Sequence, residues 1–344
     1  MKMIRVSARL ERNFASDCGE PSRGWKRALA FALCLYGVAF LIAPSTAAGA
    51  DVSGGAPSKT VRLLTVGNSF SGNATRYLGD LARSAGHELI MDTAAAGGAP
   101  LELHWNRAQL HEREPENPGG LYGKRGLKEA LQGRDWDAVT IQQASIKSHD
   151  EATYRPFAKN LFDYIKRYAP DAQVLVHQTW AYRRDDPRFR VASPAQGEPR
   201  TQKQMYEMLK AAYASVAAEL GVRCIPVGDA FYLADTDPVW GYRPDPAYDF
   251  VETNPQKLPL QVHSLHVGWL RQRQPDGTIK LSMDGHHANT AGQYLGACVW
   301  FEVLFKESVV GNKFVASGVD REHAQFLQET AHRAVEASSR GSRP

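Results

Sequence analysis

From Val61 onward the chain switches repeatedly between two hydrophobic periods. Short apolar runs rich in β-branched residues read as buried strands at Val61–Val66, Glu88–Ala94, Trp136–Gln142, Gln173–Thr179 and Val222–Val227. Between them apolar residues fall at helical spacing. They do so after Ser71 (Tyr77, Leu78, Leu81, Ala82), over Phe157–Tyr168, and over Lys203–Leu220, which Gly221 closes. Asn289 opens a further helix through Phe305, and a last one runs from Asp320 to Ser338. Strands separated by helices need crossover connections. The pattern therefore predicts an α/β fold: a three-layer α/β/α sandwich around a mostly parallel five-stranded sheet.

Three stretches break this rhythm: Leu101–Lys124, Tyr182–Arg200 and Phe231–Asp276, all rich in Pro, Gly, Arg and aromatic residues. Insertions that follow strand ends in such folds commonly build the binding face. At the amino terminus, Lys26 and Arg27 precede the apolar run Ala28–Ala43 and then PSTAAGA. A basic flank, an apolar segment short for a spanning helix and small residues before Asp51 predict a signal peptide cut after Ala50, in preference to a transmembrane anchor. The expected organisation is a signal peptide over 1–50, a linker over 51–60, the main domain over 61–310, and a helix and tail over 311–344. A secreted or periplasmic location follows, without stable membrane insertion after cleavage.

Composition narrows the function classes. The 344 residues are 43% hydrophobic, enough for a sizeable core, and 41 basic against 37 acidic residues leave a net charge of +4. That balance, without a basic run, argues against a nucleic-acid partner. Cys18 and Cys34 leave with the signal peptide. Cys224 and Cys298 lie in apolar runs and read as buried thiols.

The candidate chemistry lies in two blocks. The first apolar strand runs directly into GNSFS, which puts Ser69 at the carboxyl edge of the sheet and at the amino end of a helix. Backbone N–H groups there can hold a developing oxyanion, although Ser69 or Ser71 could equally serve as a cap. Far downstream, MDGHHANTAGQYL places Asp284 and His287 on an expected Asp-Gly turn at a helix entrance. A serine, an imidazole to take its proton and a carboxylate to hold the imidazole tautomer form a hydrolytic triad.

Taken together, GNSFS and the Asp-Gly-His-His block resemble the first and last signature blocks of the SGNH, or GDSL-like, hydrolase superfamily. The further element Gly-Gly-x-x-Leu-x-x-His, from Gly97 to His104, resembles a bacterial branch of it catalogued as a domain of unknown function. The resemblance spans about Val61–Phe305. It implies a flavodoxin-like SGNH hydrolase fold, with Ser69 as nucleophile, His287 as base and Asp284 as its orienting acid. It also implies an oxyanion hole from the amides of Ser69 and of Gly97 or Gly98. The Asn-containing block usual after the third strand is absent, and Gln142 or Gln143 is the expected replacement donor.

The activity implied is serine-dependent hydrolysis of acyl esters, O-acetyl esters of a carbohydrate by preference, with no cofactor and no metal. Trp180, Tyr182, His266 and Trp269 are the expected substrate contacts. Two other readings stand beside it. One is a glycan-binding protein without turnover. The other is a metal-dependent hydrolase using His263, His266, Asp284, His286 and His287, although no HExxH-like element exists.

Overall fold

The structure is a computed structural model that describes residues 57–193, 195–248, 254 and 256–341. The signal peptide and most of the linker lie outside the described residues. The described part falls in one compact unit, Ala56–Pro344.

Five strands form the central sheet: β1 (Thr60–Gly67), β2 (Glu88–Ala95), β3 (Ala138–Ile141), β4 (Gln173–His177) and β5 (Arg223–Ile225). Their order is β2-β1-β3-β4-β5 and every pairing is parallel. Both faces are covered, which is why β3 is buried at every position and why strands such as LLTV carry no polar alternation. The helices are α1 (Ser69–Ala74), α2 (Leu78–Ser84), α3 (Leu101–Arg113), α4 (Leu127–Gln132), α5 (Phe157–Tyr168), α6 (Gln202–Leu220), α7 (Val227–Asp235), α8 (Thr290–Phe305) and α9 (Arg321–Gly341). In one layer α8 packs against α1, α2, α7 and α9; in the other α5 packs against α3, α4 and α6. The predicted three-layer sandwich is the observed one.

The predicted strands and helices recur within a few residues of their expected bounds, and Gly221 caps α6 with φ 64°. Three differences matter. The stretch expected as loop from Leu101 contains α3. The stretch from Phe231 holds most of α7 and then β6 (His266–Arg273), which pairs antiparallel with β7 (Ile279–Ala288). Asp284, expected on a turn, therefore sits in a strand opposite Gly268. Lastly, the carboxy-terminal helix is part of the domain, because Ala324, Leu327, Ala331 and Ala334 of α9 are buried in the shared core. Cys224 and Cys298 are free thiols, and burial pushes both upward in pKa.

The chain leaves β1 toward β2 on one side and returns to β3 on the other. The crevice above β1 and β3 is thus the switch point where open α/β sheets collect ligands. Residues directly after β1, β2, β3 and β4 converge there.

Candidate active site

β1 ends because Gly67 and Asn68 turn it. Gly67 approaches so closely that a Cβ would collide with Ser71 Oγ and press on Gln142. Asn68 is extended (φ −139°, ψ −157°) and caps α1, its Oδ1 accepting from Phe70 N at 3.0 Å. Its Nδ2 donates to Ala99 O at 3.0 Å, tying the turn to the segment after β2. Ser69 follows, half-buried, at the first position of α1.

From the other side β7 delivers Asp284 and His287. Ser69 Oγ lies 2.9 Å from His287 Nε2, and His287 Nδ1 lies 2.9 Å from Asp284 Oδ2. An ionised carboxylate only accepts, so Nδ1 carries the proton and Nε2 is free to accept from Ser69. Asp284 Oδ1 also accepts from the backbone N of His287 at 2.9 Å and of His286 at 3.3 Å. Burial by itself raises the Asp284 pKa, but the hydrogen bonds from His287 and the neighbouring imidazoles outweigh it and hold the carboxyl well below its usual range.

Three ties fix the end of β7. Arg183 N donates to Gly285 O at 2.8 Å, Trp180 Nε1 to His286 O at 2.8 Å, and Ala288 N to Asn73 Oδ1 at 3.0 Å. Behind them Arg183 forms a fully buried two-pronged pair with Asp185 (2.7 and 3.0 Å), and Tyr242 OH donates to the same carboxylate at 2.9 Å. The Arg183 guanidinium fills the space beside Gly268, where φ is 75° and any side chain would clash with it.

A cavity of about 220 Å³ opens over Ser69, walled by Phe70, Gly98, Ser145, Ile146, Tyr182 and His286. Ser145 Oγ and Tyr182 OH share a hydrogen bond of 3.0 Å at its edge. His286 Nδ1 lies 3.2 Å from Asp284 Oδ1, and burial lowers the pKa of its ring.

The expected triad residues are thus brought together, and Gly98 and Tyr182 line the cavity. Other expectations are corrected. Gln142 is fully buried, its Nε2 donating to Asn68 Oδ1 at 2.7 Å while its Oε1 accepts from Ser71 Oγ and from His177 Nδ1. Gln143, also fully buried, donates to Thr153 O and Oγ1, and accepts from Leu101 N and Ala144 N. Gln143 is consumed by backbone groups left over at the strand end, and Gln142 by the buried side chains of Asn68, Ser71 and His177. Neither reaches the cavity.

Trp180 and His266 are fully buried and touch no open space. Trp180 stacks at 4.4 Å on Phe231 and lies 4.4 Å from Phe70, and His266 Nε2 donates to Ala181 O at 3.1 Å. Trp269 spends its indole N–H on Asp185, at 3.3 Å. Gly97 does not line the cavity. Of the metal group, Asp284, His286 and His287 converge within 4.8 Å, whereas His266 points into the core and His263 packs beside Trp240.

Sequence reasoning missed Ser145 and Ile146, and placed Asn68 at the strand end without its part as the cap of α1. Asn68 carried a signal, since Asn before a helix start is a preferred cap. Ser145 and Ile146 carried none, because only the paths of the chain after β3 and β4 bring them to Tyr182.

The comparisons with known proteins bear on the family and the fold. The family model described as "Domain of unknown function (DUF4886)" matches residues 62–239. A crystal structure of a DUF4886 family protein from Bacteroides uniformis superposes with a TM-score of 0.59 at 25% identity, covering 80% of this chain and 95% of that one. Weaker likenesses include a candidate SGNH hydrolase from Slackia heliotrinireducens (TM-score 0.42, 21% identity, 71% of this chain and 98% of that one). A candidate GDSL-like lipase from Parabacteroides merdae follows (TM-score 0.40, 13% identity, 73% and 98%). A search of curated proteins found no match. The chain belongs to the DUF4886 family.

Proposed function

We propose that this chain is a serine esterase of SGNH type that removes short acyl groups, acetyl by preference, from a carbohydrate outside the cytoplasm. The observation that carries the reading is the unbroken hydrogen-bond chain from Ser69 through His287 to Asp284 at the mouth of a cavity. In the proposed cycle His287 Nε2 takes the Ser69 proton and Oγ attacks the acyl carbonyl. The imidazolium, held by Asp284, then protonates the departing alcohol. Water activated by the same imidazole releases the acid and restores Ser69.

The amides of Ser69 and Gly98 are the proposed backbone donors to the oxyanion. The Ser145–Tyr182 hydroxyl pair, which lies at the cavity edge, takes the place assigned to a glutamine. A cavity of about 220 Å³ is smaller than the roughly 300–1,000 Å³ of typical ligand pockets, which favours a short acyl group over a long chain. Export rests on the signal-like segment before Asp51; among the described residues no helix is long and apolar enough to cross a membrane.

The test is release of acetate from acetylated polysaccharides and from a simple acetyl ester, with the Ser69→Ala variant beside the parent. Hydrolysis by the parent alone supports the reading. Equal rates in both refute it, and glycan binding without any turnover would point instead to a binding protein on this fold.

A further inference from the structure

The chain is nearly balanced in charge, at 41 basic against 37 acidic residues, so a local excess of one sign stands out. One pocket holds such an excess. A surface cavity of about 450 Å³ is lined by Arg184, Arg190, Arg200 and Lys203, with Tyr232 and Thr201 completing its main walls and no carboxylate side chain among its lining.

The four cationic residues are exposed. Two of them make ties that leave donors to spare: Arg184 spends one donor on Asp235 O at 3.1 Å, and Lys203 lies 3.7 Å from Glu207. The pocket also sits at the amino end of α6, which has no acidic residue in its first turn to offset the dipole. Tyr232, stacked on Tyr206 at 3.9 Å between ring centres, provides a rigid flat wall. Guanidinium forks bind planar oxyanions in two-pronged fashion, and a flat aromatic wall suits the apolar face of a sugar ring.

The place of this pocket relative to Ser69 gives it a use. Tyr182 lines the cavity over Ser69, and Arg184 and Arg190, a few residues further on, line the basic pocket. The two openings therefore draw walls from one continuous segment. We propose that the basic pocket is a subsite for the acidic residues of a polyanionic glycan whose ester is presented to Ser69. This deepens the esterase reading and rests on it for the catalytic half only.

The experiment compares three acetylated polymers, a polyuronate, a sulfated glycan and a neutral xylan, for the parent and for the Arg200→Gln/Lys203→Gln variant at low and high salt. Binding of the deacetylated polyuronate and of inorganic polyphosphate is measured separately by calorimetry. The expected result is a preference of about tenfold for an acidic over the neutral polymer at low salt, shrinking at high salt and in the double variant. Whether the polyuronate or the sulfated glycan is preferred identifies the anion. Calorimetry should show polyuronate binding that the double substitution weakens; if this holds while no ester is cleaved, the subsite stands and the esterase reading falls. Equal rates on acidic and neutral polymers with no polyuronate binding overturn the subsite and leave the esterase reading intact. Polyphosphate binding as tight as that of any acidic glycan overturns it as well, since the site would then not read sugar.

Discussion

Trp180 Nε1 donates a 2.8 Å hydrogen bond to the carbonyl oxygen of His286, directly beside the His287 that faces Ser69. This places Trp180 behind the proposed triad. Its ring, between Phe70 and Phe231, ties the Ser69 turn, α7 and the end of β7 into one packed unit. Trp180→Phe would keep most of the stacking and lose the hydrogen bond. It should cost about 0.5–1.5 kcal/mol of stability for that bond, with an added loss for the unfilled volume. Turnover should fall while the Michaelis constant changes little, because the geometry of His287 is loosened and no substrate contact is removed. Urea denaturation alongside steady-state kinetics measures both; a raised Michaelis constant alone would return Trp180 to the substrate side.

Gln142 belongs to the same framework. Asn68 Oδ1, Ser71 Oγ and His177 Nδ1 all bond to it, and His177 is held neutral by burial, its pKa pushed down to about 3. Gln142→Ala leaves these buried groups without their partner and should destabilise the fold by at least about 2 kcal/mol. Ser145→Ala, in contrast, removes one hydrogen bond, to Tyr182, should cost only about 1 kcal/mol of stability, and should lower turnover by about a hundredfold if Ser145 completes the oxyanion hole. Denaturation midpoints and kcat for the two variants separate the roles. The reverse pattern would give the oxyanion back to Gln142.

How much of this was legible in the sequence follows from the range of the interactions. The Val61–Val66 strand, Gly67, Asn68 and Ser69 form one local unit, in which strand end, turn and cap follow from adjacent residues. The DGHH block was legible as chemistry but not as conformation. Its strand depends on pairing with His266–Arg273 across a PDG turn, a hairpin signal present in LRQRQPDGTIKLS but obscured by the irregular stretch before it. The glutamines and Trp180 were misread for a different reason. Their positions at strand ends were right, yet whether a side chain there faces the crevice or the core is decided by partners such as Asn68, Thr153 and His286, distant in sequence. The Arg183–Asp185 pair was likewise invisible as a support, since its other partners come from Gln261, Ser264 and Tyr242.

Asp284 also makes a prediction about pH. Its folded-state pKa is depressed from an ordinary 3.8, so ionised Asp284 stabilises the fold at pH values above 3.8. That contribution is lost as the pH falls below 3.8 toward the folded-state value. Asp284→Asn should be less stable near neutrality, and its loss of stability on acidification should be shallower than that of the parent. It should also turn over more slowly, because the imidazolium loses its partner. Denaturation curves from pH 7 down to about pH 3 test the sign; a steeper acid dependence in the variant would contradict the depressed pKa.

Asp284, His286 and His287 place donor atoms within 4.8 Å of one another, a set that could take a metal ion. In the triad reading the same atoms are already engaged: His287 Nε2 with Ser69 and Nδ1 with Asp284. A bound zinc ion would compete for them. Chelator treatment should therefore leave hydrolysis unchanged, and added Zn²⁺ should inhibit reversibly. Loss of activity on chelation, restored by Zn²⁺, would establish the metal-dependent reading instead.

The central claim is that Ser69 Oγ is an activated nucleophile. Intact-protein and peptide mass spectrometry after treatment with a fluorophosphonate probe tests it without knowledge of the substrate. The account predicts one covalent adduct, on Ser69, which disappears in Ser69→Ala and is slowed by more than about a hundredfold in His287→Ala. Absence of an adduct on folded parent protein, or labelling of a different residue at the same rate, would contradict it.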